Sequence, residues 1–130
     1  MNDLDRYEEI YFSSTNIDNK SNILDHYTYY IHQKYNREIL SLPKTFSYLD
    51  LASGQAKYSE ELIFHFEKII FSEISSSGLT FMRKKFKYKK NILVKKLDIQ
   101  NFHLKEKVDL ISMASSLSYV EINLFLSNIK

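Results

Sequence analysis

Between positions 46 and 113, short apolar runs alternate with helix-like stretches, and the first run ends in an acid that leads into a turn of small residues. The runs at 46–51, 68–74, 92–97 and 108–113 have strand length and composition. The stretches 57–66 (Tyr58, Leu62, Ile63 and Phe66 inward) and 78–87 (Leu79, Met82 and Phe86 on one side) repeat their apolar residues at helical spacing, and another helix begins near 121. Strands separated by helices must return to the same edge before pairing, so the expected fold class is α/β: a parallel sheet of about four strands sandwiched by helices. At the turn, Ala52, Ser53, Gly54 and Ala56 are all small, which lets a ligand approach bare backbone there.

Upstream, residues 3–12 read as a short helix and 13–21 as a polar loop. From 22 to 42, Ile23, Tyr27, Tyr30, Ile31, Tyr35 and Ile39 recur every three or four residues, marking one face of a long helix that Pro43 stops. This divides the chain into an N-terminal helical extension or lid, residues 1–45, and an α/β portion, residues 46–130. The tyrosine-rich face suits packing better than a substrate mouth.

With 130 residues, 44% of them hydrophobic and 26% charged, the chain is long enough for one modest core. It has no apolar run of the ~20 residues a membrane span needs, and its first residues lack the plan of a secretory signal, so a cytoplasmic location is expected. The absence of cysteine excludes disulfides, thiolate catalysis and Cys-ligated zinc. The four histidines fall in no metal-binding spacing, so no metal is expected. The net charge of +2 conceals a block at 83–96 with eight bases and no acid, interleaved with Phe86 and Tyr88. Such a stripe can face RNA, but the preferred reading is a lysine coat on a helix end and strand with Phe86 turned to the core. Nucleic acid is therefore not expected as a partner.

Three acids stand where three strands end: Asp50, Glu73 and Asp98. In a parallel sheet the strand C-termini share one edge, the usual ligand crevice of such folds. Glu73 follows Gly54 by 19 residues, the spacing at which an acid after a glycine turn grips ribose hydroxyls, because a carboxylate accepts two hydrogen bonds from a vicinal diol.

In this order and spacing the chain resembles the class I S-adenosylmethionine-dependent methyltransferases, a Rossmann-like fold, over about residues 46–125. Leu49-Asp50-Leu51-Ala52-Ser53-Gly54-Gln55-Ala56 stands where the family has Leu-Asp-Leu-Gly-Cys-Gly-Thr-Gly. Phe71-Ser72-Glu73-Ile74-Ser75 resembles its second strand end, Leu97-Asp98-Ile99 its third, and Val108-Asp109-Leu110-Ile111-Ser112 its fourth strand. The resemblance implies strand order 3-2-1-4 and S-adenosyl-L-methionine as cofactor. It implies that Asp50 and the backbone of Ala52, Ser53, Gly54, Gln55 and Ala56 hold the methionine portion, and that Glu73 binds the ribose. Asp98 would accept from the adenine amino group, Ile74 and Ile99 would contact the ring faces, and Ala114 and Ser115 would lie near the sulfonium and the acceptor.

The implied activity is methyl transfer to a small molecule or biosynthetic intermediate. No catalytic residue is assigned; Asp25, His26, Tyr27 and Tyr30 suit packing or surface placement better than acceptor contact. Two family glycines are replaced by Ala52 and Ala56, which the turn tolerates if φ stays negative. Those replacements favour the alternative of a degenerate, inactive domain that scaffolds a partner. A nicotinamide-dependent oxidoreductase fits less well, because residues 52–57 lack Gly-x-Gly-x-x-Gly. The family's sheet extends beyond the four strands read here. The order 3-2-1-4 leaves the apolar fourth strand as an uncovered edge, so self-association or a partner chain over that edge is expected.

Overall fold

The computed structural model describes residues 23–57, 59–114 and 120–129, with side chains from residue 29 onward. The expected helix at 3–12 and loop at 13–21 lie outside the described residues. Helix α1, Ile23–Leu40, carries Arg37 in its last turn and closes with i→i+3 bonds from Ser41 N and Leu42 N before Pro43. The chain then builds β1 (Ser47–Leu51), a 3-10 helix (Glu60–Phe64), β2 (Lys68–Glu73), α2 (Ser76–Lys85), β3 (Ile92–Lys96), β4 (Leu110–Met113) and α3 (Ile122–Ile129). All three pairings are parallel, as the alternating runs imply, and the sheet order is β3-β2-β1-β4, the Rossmann-like arrangement that the family resemblance implies.

Because side chains alternate across a strand, the two central strands feed two cores. Tyr48, Ile69 and Phe71 face one layer with Ile39 of α1, Leu62 and Phe66 of the segment before β2, Met82 of α2 and Phe86 at the C-cap of that helix. Leu49, Leu51 and Ile70 face the other, where Phe102 and Phe125 of α3 cover them. Phe71 is fully buried and its ring stacks on Phe86 at 5.1 Å between centroids.

Segment 57–66 departs from the expected α-helix. Only one 3-10 stretch forms, with Leu62 N bonded to Ser59 O and His65 N to Leu62 O. Ser59 stands at the N-cap position without capping, because its hydroxyl donates instead to the Asp50 carboxylate, 3.1 Å away. Leu62 and Phe66 are buried as their spacing requires, Ile63 packs partly against the same core, and Tyr58 lies outside the described residues. By contrast α2 is capped: the Ser75 hydroxyl accepts from Gly78 N at 3.0 Å, and Arg83, Lys84 and Lys85 sit against the negative end of the helix dipole. Among the described residues no helix is long and apolar enough to cross a membrane.

Candidate functional site

The parallel register brings the C-terminal ends of all four strands to one edge, and with them Asp50, Glu73 and, two residues beyond β3, Asp98. The turn after β1 lies at that edge. Within it Ala52, Gly54 and Ala56 have φ of 54°, 60° and 54°, so every second residue is left-handed. The expectation that alanine is accommodated there by a negative φ does not hold. Both alanines adopt a conformation that costs an L-residue about 1–2 kcal/mol. The surroundings hold them in it: Ala56 is buried in the first core, Ser53 N donates to Ser72 O at 2.7 Å, and the Ser53 hydroxyl donates to Asp50 O at 2.8 Å.

Half-buried Ala52 offers a clean test. Ala52→Gly is expected to raise the unfolding free energy by about 1 kcal/mol in urea denaturation, because glycine enters positive φ without the Cβ clash. A variant no more stable than the parent would show that the turn does not hold this geometry.

Glu73 is 1% exposed and turned into the protein. Its Oε2 accepts from Gly54 N at 2.8 Å, and Oε1 accepts from Ile74 N at 2.8 Å and Ser75 N at 3.1 Å. A carboxylate offers about four acceptor sites, so these three bonds leave one, on Oε2, rather than the pair a vicinal diol asks for. Gly78 makes the arrangement feasible: a Cβ there would lie 2.9 Å from Glu73 Cγ and 3.1 Å from Gly54 O. The carboxylate thus ties the turn to the start of α2.

Asp50 is equally enclosed. Its Oδ1 accepts from the Ser112 hydroxyl at 2.8 Å and Oδ2 from Ser59, while its main-chain oxygen takes the hydroxyls of Ser53 and Ser72. Burial raises its pKa above the ordinary carboxylate value, and the hydroxyls of Ser112, Ser59, Ser53 and Tyr48 oppose the shift. The Tyr48 hydroxyl lies 2.6 Å from Ser112 Oγ, and burial together with the Asp50 charge pushes that phenol well above its usual range. Tyr35 of α1 is shifted upward for the same two reasons, with hydrogen bonding to Ser112 and the Met113 backbone opposing. Ser112 therefore joins β4, β1 and α1 around one carboxylate. Its signal in the sequence is a single hydroxyl in the apolar strand Leu-Ile-Ser-Met, and Ser72 between Phe71 and Glu73 is a signal of the same kind.

Asp98 is exposed, with Oδ1 accepting from Gln100 N at 2.9 Å. Ile74, Ile99, Gln55 and Ala114 are half-buried around the same edge, Ile99 packing against the second core. Ser115 lies outside the described residues. Beside the turn, α1 and the 3-10 helix enclose a half-open cleft of about 170 Å³. Tyr29, His32, Gln33 and Lys57 line it, together with Asn36, which donates to Glu61 at 2.7 Å. Burial lowers the His32 pKa. Among the described residues no group of acids and histidines could hold a metal ion.

No protein-family model matches the sequence, and no curated protein matches it either. Solved structures do. A S-adenosylmethionine-dependent methyltransferase from Aquifex aeolicus superposes with a TM-score of 0.69 at 19% identity, covering 100% of this chain and 66% of its own. The glycopeptide N-methyltransferase MtfA gives 0.66 at 14% identity over 78% of this chain and 47% of its own. Coclaurine N-methyltransferase, bound to N-methylheliamine and SAH, gives 0.57 at 21% identity over 75% and 30%. The chain thus spans between about a third and two thirds of these proteins' lengths. Its four-stranded sheet and flanking helices have the Rossmann-like fold of the S-adenosylmethionine-dependent methyltransferases.

Proposed function

We propose that this chain is a S-adenosylmethionine-dependent methyltransferase, or the cofactor-binding part of one, acting on a small-molecule or biosynthetic-intermediate acceptor. The observation that carries this reading is the turn at 52–56. It keeps three left-handed residues at the C-terminal end of β1 although two of them are alanines, and the acids closing β1, β2 and β3 stand at the same edge. Backbone groups of the turn would face the methionine portion, the remaining Oε2 acceptor site of Glu73 one ribose hydroxyl, and Asp98 Oδ2 the adenine amino group. Ile74 and Ile99 would flank the ring, with Ala114 and Ser115 near the methyl group. Asp50, buried and accepting from the Ser112 and Ser59 hydroxyls, would brace the turn from behind. The cofactor's sulfonium supplies an already activated methyl group, so the protein has to align the acceptor and exclude water. The cleft beside Lys57 is of a size for a small acceptor group.

Thermal-shift or calorimetric titration with S-adenosylmethionine and its demethylated product tests this. Saturable binding is expected, stabilising the fold by about 2.7 kcal/mol at a hundred-fold excess over Kd. Asp98→Ala should remove the response without unfolding the chain, since the side chain is exposed. No response up to millimolar ligand would favour the second reading, an inactive scaffold, to which the strained alanines and the inward Glu73 carboxylate lend support.

A further inference from the structure

Helix α2 starts beside the turn and runs back along the sheet, so its last turn and residues 86–91 lie at the opposite edge, where the strands begin. Six bases crowd into eight positions there without an acid: Arg83, Lys84, Lys85, Lys87, Lys89 and Lys90, all exposed. Of these six only Lys85 has an ion-pair partner among the described residues, Glu60; Glu67 and Asp109, the latter held by Ser47, also stand at this edge, where Lys44 and Lys68 add two further bases. Helical packing accounts for Leu79, Met82 and Phe86, which are buried. It does not account for the aromatic rings left outside.

Tyr88 is 86% exposed and Phe64, at the end of the 3-10 helix, is 77% exposed. The fold brings Phe64 under the Lys89 ammonium, 4.7 Å from the ring centroid, while Lys87 stands 5.4 Å from the ring of Tyr88 and Lys85 5.8 Å from that of half-exposed Phe81. Solvated rings of this size gain nothing from the core. Set among cations, they form the combination that binds unpaired nucleotides: bases stack on the rings while lysines neutralise the phosphates.

Against the expectation of a mere lysine coat, we infer from these exposed rings that this edge is a docking surface for single-stranded nucleic acid, with Tyr88 and Phe64 as stacking platforms and Lys87, Lys89 and Lys90 on the backbone. A duplex would hide its base faces from both rings. A membrane surface would ask for a continuous apolar face, whereas here every ring is overlaid by a lysine. The surface lies at the edge away from the turn at 52–56, so it stands or falls independently of methyl transfer.

Fluorescence anisotropy of a labelled oligouridine of about twelve nucleotides with the full chain, across a KCl series, tests it. Saturable binding is expected at low salt, with a log–log salt slope of about −2 to −3.5 for three to five neutralised phosphates. Joint replacement Lys87→Glu, Lys89→Glu and Lys90→Glu should weaken binding at least ten-fold and flatten the slope. Tyr88→Ala should weaken it roughly ten-fold at unchanged slope, with Tyr88→Phe restoring it. All four positions are exposed, and circular dichroism verifies that the fold is retained. The inference is overturned if oligouridine does not bind at low salt, or if Tyr88→Ala binds as the parent does, which marks a bare polycation. It is equally overturned if anionic phospholipid vesicles bind while oligouridine does not.

Discussion

Glu73→Ala is expected to lower the unfolding free energy by about 3–5 kcal/mol, because it strips the acceptor from three main-chain N–H groups at once, those of Gly54, Ile74 and Ser75. Two of them, Gly54 and Ser75, are buried, where a stranded donor is most costly. Glutamine is not a rescue. Its oxygen can serve Ile74 and Ser75, but its amide nitrogen then points a donor at Gly54 N–H, so Glu73→Gln should still lose about 1–3 kcal/mol. Urea denaturation measures both, and a Glu73→Ala loss below about 1 kcal/mol would mean that the carboxylate is not seated between the turn and α2. The same variant should lose its thermal response to S-adenosylmethionine. Asp98→Ala, lacking the folding penalty, separates loss of binding from loss of structure.

Phe71→Ala is the second large effect. The ring is fully buried in β2, within the first core, and stacks on Phe86, the residue that closes α2. Removing it forfeits the burial, leaves a cavity and unseats α2 from the sheet, together about 3–5 kcal/mol. That is a large share of the 5–15 kcal/mol a domain commonly has, so the melting temperature should fall by well over 10 °C. A small shift would mean that α2 does not pack on this face.

The sheet was legible because each of its strands is an apolar run of fixed length, and because helix-like spacing between runs forces parallel pairing. The site was legible only in outline. Residue type shows that Glu73 closes a strand, yet not that its oxygens turn inward, since that depends on Gly78 leaving room from the next helix. Nothing in the pair Ala52 and Ala56 announces positive φ, a conformation that alanine itself resists; the bonds of Ser53 to strands β1 and β2 impose it. The 3-10 geometry of Glu60–Phe64 was hidden because the apolar spacing over 57–66 fits an α-helix, while the Ser59 hydroxyl, drawn to Asp50, leaves the start of the segment uncapped. Phe64 reaches Lys89 from 25 positions away, and no local pattern reports such a meeting.

The two outer strands differ in a way that bears on assembly. Strand β3 ends in Lys95 and Lys96, the kind of charged residue that discourages another backbone from zipping alongside, while β4 offers Leu110, Ile111 and Met113 without a single charge. A layer guarded at one side and bare at the other can lengthen in one direction only. Among the described residues no strand pairs with β4 on its outer side, so a further backbone joining this sheet is expected to align there and not along β3.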